Sequence, residues 1–165
     1  MGMVACFAPV DAKIMEQLQS DPEQIESFLY PDDGESEPFN YFDVDKSWHC
    51  IHFMLCGEVD AGESILSLAI LGGSEIGEDV GYGPARIIEA SQVREIANAL
   101  SQIDGDTFKS RYEPKKMQDA DIYLADMCVR DGDDAFDYLL QNYIGLVGFY
   151  QDAAKRGDGV VAWLC

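Results

Sequence analysis

"DDAFDYLLQNYIGLVGFYQDAAKRGDGVVAWLC", residues 133–165, joins a long helical pattern to a strand-like run, and that junction decides the fold class. Phe136, Leu139, Leu140, Tyr143, Ile144, Val147 and Tyr150 recur at helical spacing, so one face of a helix over residues 133–156 is expected to meet a core. Asp133 and Asp134 stand in its first turn and Lys155 and Arg156 in its last, as the helix dipole favours. Gly157 supplies the stop, and "GVVAWLC" reads as a terminal strand.

Upstream of this unit, "MVACFAP" reads as a short strand closed by Pro9. Asp11 is placed to cap a helix over "AKIMEQLQS", and Asp21 followed by Pro22 starts a second one carrying Ile25, Phe28 and Leu29. "PDDGESEPFNYFD", residues 31–43, has the Gly, Pro and acidic content of a loop. A helix is expected from Asp45 to Cys56, stopped by Gly57, and another over "SILSLAIL". "ARII" reads as a strand, and "ASQVREIANALSQI" as an amphipathic helix burying Val93, Ile96, Ala97, Leu100 and Ile103. Short helices around Pro114 and an extended "IYL" precede the long C-terminal helix. The order implies a single α+β domain over residues 1–165, with a small mixed or antiparallel sheet packed against several helices.

With 165 residues and 47% apolar content, the chain is large enough to bury a core without disulfide or metal staples. No segment reads as a signal peptide or membrane helix, so a cytoplasmic protein is expected. The five cysteines, Cys6, Cys50, Cys56, Cys128 and Cys165, show no CxxC spacing and read as reduced, mostly buried thiols. Net charge is −20 and uneven: through Asp45 there are eleven acids against a single base, Lys13, whereas eight bases lie from Arg94 to Arg156. Such a field repels nucleic acid and anionic membranes and attracts a basic protein surface.

Five of the fifteen glycines fall in "LGGSEIGEDVGYGPAR", residues 71–86. A Walker loop would need lysine where Glu78 stands, and a dinucleotide fingerprint would need glycine where Arg86 stands. The segment reads instead as a flexible acidic connection that tightens at "GYGPAR", holding Tyr82 and Arg86 in fixed directions.

On a helical wheel, Asp45, His49, His52 and Cys56 share one narrow stripe of a helix otherwise covered by apolar side chains. Three readings compete. A metal site would need a third ligand from elsewhere, because Asp45 and Cys56 are ~16 Å apart along the axis. A cleft would use Asp45 to orient His49, with His49 or His52 as acid or base, closed by Tyr82 and Arg86. In the third reading the imidazoles hydrogen-bond to the backbone and Asp45 is the N-cap. Lys46 and Trp48, beside the stripe, join Tyr82 and Arg86 as ligand-binding candidates. No metal or cofactor is assigned.

"MGMVACFAPV", "DVDKSWHCIHFMLCGE", "LAILGG" and "GEDVGYGPARII" together make the chain resemble the YfbM-like family, a bacterial domain of unknown function. The resemblance spans nearly the whole chain and implies a single α+β domain. It brings no activity, substrate or catalytic residue. Two function classes follow from the residues. The leading one is a non-catalytic acidic binding protein that masks a basic partner protein, as immunity proteins do. The alternative is a small enzyme using Asp45, His49, His52, Tyr82 and Arg86 on a small anionic substrate.

Overall fold

The computed structural model describes residues 2–31 and 40–165. Its centre is the terminal strand β5 (Gly159–Leu164), flanked on one side by β1 (Ala5–Val10) and on the other by β4 (Pro84–Ile88). Beyond β1 lies the two-residue β2 (Phe42–Asp43), and beyond β4 lies β3 (Ser74–Asp79). All neighbours pair antiparallel, giving the order β2-β1-β5-β4-β3. Pro9 sits inside β1 rather than closing it, opposite Val160. It is tolerated because Val4 and Cys165 exchange both main-chain bonds, and the ladder's alternation then turns position 9 away from β5, beyond the end of β2.

Helices cover both faces of the sheet, and that explains why β5 lacks polar alternation. Val160 and Ala162 enter the larger core, while Val161 and Trp163 enter the smaller one on the opposite face. Burial of a side chain such as Val160 or Val161 stabilises the fold by about 1.5–3 kcal/mol. The smaller core is closed by α1 (Ala12–Ser20) and α2 (Gln24–Leu29), through Met15, Leu18, Ile25 and Leu29. Asp11 caps α1 as its sequence suggests, accepting the amide of Ile14 at 2.8 Å.

The larger core is filled by α3 (Trp48–Cys56), α4 (Ile65–Leu71), α5 (Ala90–Ser101) and α9 (Asp133–Arg156). The short helices α6 (Gly105–Ser110), α7 (Pro114–Asp119) and α8 (Ala125–Asp131) close its far end. α9 has the expected bounds, but its face is turned. Phe136, Leu139, Tyr143, Leu146, Tyr150 and Ala153 are buried, while Ile144 is 60% exposed. The true seam steps by three and four alternately, which favours Leu146 over the flanking Leu140, Ile144 and Val147.

Three sequence expectations are corrected. Residues 74–79 are strand β3, paired with β4 in a hairpin, not a flexible connection. Ile76 is the one side chain of β3 that is buried, so the strand carries almost no apolar signal. "IYL" is not extended; Asp121 and Leu124 take positive φ of 55° and 66° in a tight turn before α8. The helix expected from Asp45 begins only at Trp48, after a 3₁₀ turn over Asp45–Ser47. Much of the acidic loop at 31–43 lies outside the described residues, although its end supplies β2. The chain forms a single α+β domain with a five-stranded antiparallel sheet, a long C-terminal helix and a terminal strand.

Candidate functional site

α3 is apolar on nearly every side and lies inside the larger core, so its few polar groups must find partners there. Its C-terminus is closed by Gly57 at φ 74° and by Arg111, whose Nη1 donates to the Leu55 carbonyl at 2.8 Å. The chain then returns past α3 through Val59 and Asp60, and both histidines hold that return in place.

His49 uses both ring nitrogens on the main chain. Nδ1 accepts the Tyr123 N–H at 3.0 Å, which leaves Nε2 protonated to donate to the Val59 carbonyl at 2.9 Å. The ring also stacks on Trp48, with centroids 4.7 Å apart and planes 10° from parallel. His52 is fully buried, and Nε2–H donates to the Asp60 carbonyl at 3.0 Å. Burial holds its pKa below the ordinary histidine value; the Asp60 carbonyl works against that shift, and the nearby Arg86 charge adds to it. The Cys56 thiol donates to the His52 carbonyl at 3.2 Å, and burial pushes its pKa up.

Asp45 does not orient His49, nor does it cap α3. Its Oδ2 accepts the Tyr138 hydroxyl at 2.8 Å, and its backbone sits at φ 49° in the 3₁₀ turn. That turn breaks the helical wheel, so the projected stripe does not continue from α3 back to Asp45. Trp48 is buried and donates Nε1–H to the Met3 carbonyl at 3.1 Å. Lys46 is exposed on the 3₁₀ turn. Among the described residues, no group of His, Cys, Asp and Glu side chains is arranged to hold a metal ion.

Tyr82 and Arg86, in contrast, do share a cavity. It measures about 240 Å³ and is walled by Ala61, Leu71, Pro84 and Leu164, with Glu75 across the β3–β4 pair from Arg86. Tyr82 stands in the hairpin turn, 49% exposed. Asp45, Lys46, Trp48, His49 and His52 do not line this cavity. The turn's amides are already used: Asp79 Oδ1 accepts from Gly81 at 2.7 Å and from Gly83 at 3.2 Å, and Tyr82 N–H donates to Leu164 at 3.3 Å. Arg86 is partly buried, and among the described residues no hydrogen-bond or ion-pair partner holds its guanidinium. Burial weakens its hold on the proton, partly offset by Tyr150 and Glu75. Sequence reading missed Glu75 as a wall residue because it did not see β3, the strand that pairs it with Arg86, and missed Leu71 because no spacing rule places the end of α4 beside β4.

The comparisons with known proteins agree with this fold. The model of a family described as "Domain of unknown function (DUF1877)" matches residues 1–163. A solved structure, the protein of unknown function YfbM from Escherichia coli, superposes with a TM-score of 0.75 at 20% sequence identity. The match covers 98% of this chain and 99% of that one, and at this identity it speaks for the fold alone. No curated protein matches the chain. With the family model spanning almost every residue of the α+β domain described above, the chain belongs to the DUF1877 family of domains of unknown function.

Proposed function

We propose that this domain is a non-catalytic binding protein that covers a basic surface of a partner protein with its α1–α2 face and the adjoining hairpin tip. The observation that supports the reading is how the bases, and with them the ion pairs, are segregated from this face. Glu16, Glu23, Glu26 and Glu78 are exposed there, with Lys13 as the one base between Asp11 and Tyr30. α2 and the hairpin adjoin, since the Tyr30 hydroxyl donates to the Val80 carbonyl at 3.4 Å. Every ion pair among the described residues lies elsewhere, within residues 109–158. The carboxylates of the α1–α2 face are therefore left to attract an external cation, which raises encounter rates more than it raises final affinity.

The rival reading, an enzyme acting on a small anion, needs a free imidazole in the wall of the Arg86 cavity, whose lining holds none. The bonding of His49 and His52 to main-chain groups supports binding over turnover. The test is the association rate with a compact basic probe, cytochrome c, measured by stopped flow as ionic strength is raised. The triple variant Glu16→Lys, Glu23→Lys, Glu26→Lys is compared with a control of equal charge, Asp126→Lys, Asp137→Lys, Asp152→Lys on α8 and α9. The first is expected to slow association about tenfold at low salt and the second by less than about threefold. Equal effects from both sets, or a rate indifferent to salt, would overturn the proposal.

A further inference from the structure

We infer that the cavity beneath the hairpin turn is a binding site for a small organic carboxylate, gripped by the Arg86 guanidinium. The inference does not depend on the acidic α1–α2 face, which packs on the other side of the sheet and meets the cavity only at the hairpin tip. β4 alternates: Ala85 and Ile87 enter the smaller core, which aims Arg86 and Ile88 at the opposite face. There Arg86 lies over the ends of α4 and β5, lining the cavity with Leu71 and Leu164.

A guanidinium offers a planar fork of donors that matches a carboxylate in two parallel bonds. Partly buried and with no hydrogen-bond or ion-pair partner among the described residues, it carries a desolvation cost that its cross-strand neighbour Glu75 only partly offsets. A bound carboxylate would supply that compensation. The charge pattern selects within anions. Every amide of the turn that a phosphate would need is bonded internally, to Asp79, Gly83 or Leu164. Glu75, in register with Arg86, repels a second negative charge on the ligand and can receive an ammonium from it. Ala61, Leu71, Pro84 and Leu164 offer an apolar wall for a short hydrocarbon stem, and Tyr82 offers a hydroxyl at the rim. About 240 Å³ holds roughly eight heavy atoms at the ~30 Å³ that one liquid water occupies. A monocarboxylate the size of a small amino acid satisfies all of these conditions.

The test is thermal denaturation of the whole chain with alanine, 2-aminobutyrate, butyrate and succinate as probes, against sodium chloride at equal ionic strength. At least one monocarboxylate is expected to raise Tm by about 2–4 °C near saturation, with succinate and chloride inactive. Arg86→Met, which keeps the bulk and removes the charge, is expected to fold at least as stably as the native protein and to lose the ligand response. Glu75→Gln is expected to fold, to keep the monocarboxylate response and to admit succinate. Three results would overturn the inference: no carboxylate shifts Tm, the shift survives Arg86→Met, or Glu75→Gln destabilises the protein as the loss of an Arg86–Glu75 ion pair would.

Discussion

At the scale of single residues, the histidines show how one side-chain type can look catalytic in a sequence and be structural in a fold. Both lie where a general base would be sought, yet each gives Nε2–H to a carbonyl of the return that follows α3. The pH response of His52 follows from its burial. Its folded pKa lies below the ordinary histidine value of 6.5, so between the two values the unfolded chain takes up a proton that the folded chain refuses. The stability it contributes is complete above about pH 6.5 and is lost as pH falls toward the folded pKa, with a slope of at most about 1.4 kcal/mol per pH unit. His52→Gln, whose amide can still reach the Asp60 carbonyl, is expected to flatten that part of the curve in melts from pH 8 to 5. A difference between native and variant stability that does not change with pH would count against this role. His49, His52 and Cys56 were legible as polar groups on a greasy helix, whereas Asp45's place on a 3₁₀ turn and the partners of all four were not. Tyr123, Val59 and Asp60 come from segments whose approach no spacing rule encodes.

At the scale of elements, the hairpin of β3 and β4 builds the cavity and is the part least visible in the chain. "SEIGED" buries only Ile76, and Gly77 shifts the register between Ile76 and Asp79, so neither alternation nor β-propensity marks a strand. Gly77 is needed there for two reasons. Its φ is +70°, and a Cβ would come within 2.5 Å of Ile25 Cγ2 and 2.9 Å of the Pro22 carbonyl, where α2 packs on the strand. Gly77→Ala is expected to cost about 2–4 kcal/mol in urea denaturation, from left-handed strain plus overpacking. A loss below about 0.5 kcal/mol would show that α2 is not docked on β3. By contrast, α9 runs from Asp133 to Arg156 as its charges and Gly157 require, and α5 buries Val93, Ile96, Ala97 and Leu100 as its period requires. Long amphipathic helices declare themselves. The seven-residue α8 and the two-residue β2 are too short for any period to repeat.

At the scale of the molecule, the sheet separates two surfaces with different chemistry. The α6–α9 side holds the ion pairs and most of the bases, and the α1–α2 side holds carboxylates with Lys13 alone among them. No helix among the described residues is long and apolar enough to cross a membrane. The shortage of bases was legible from the first 45 residues, but the grouping of Glu16, Glu23, Glu26 and Glu78 on one surface required the topology. α1 and α2 follow β1 onto the side of the sheet away from α9, and the hairpin brings Glu78 beside them. The most direct measurement is amide chemical-shift mapping of the ¹⁵N-labelled protein during titration with a lysine-rich peptide at low ionic strength. The account predicts perturbations concentrated at residues 11–30 and 78–83 that fade as salt is added. Perturbations spread evenly over the acidic surface, or centred on α6–α9, would contradict it.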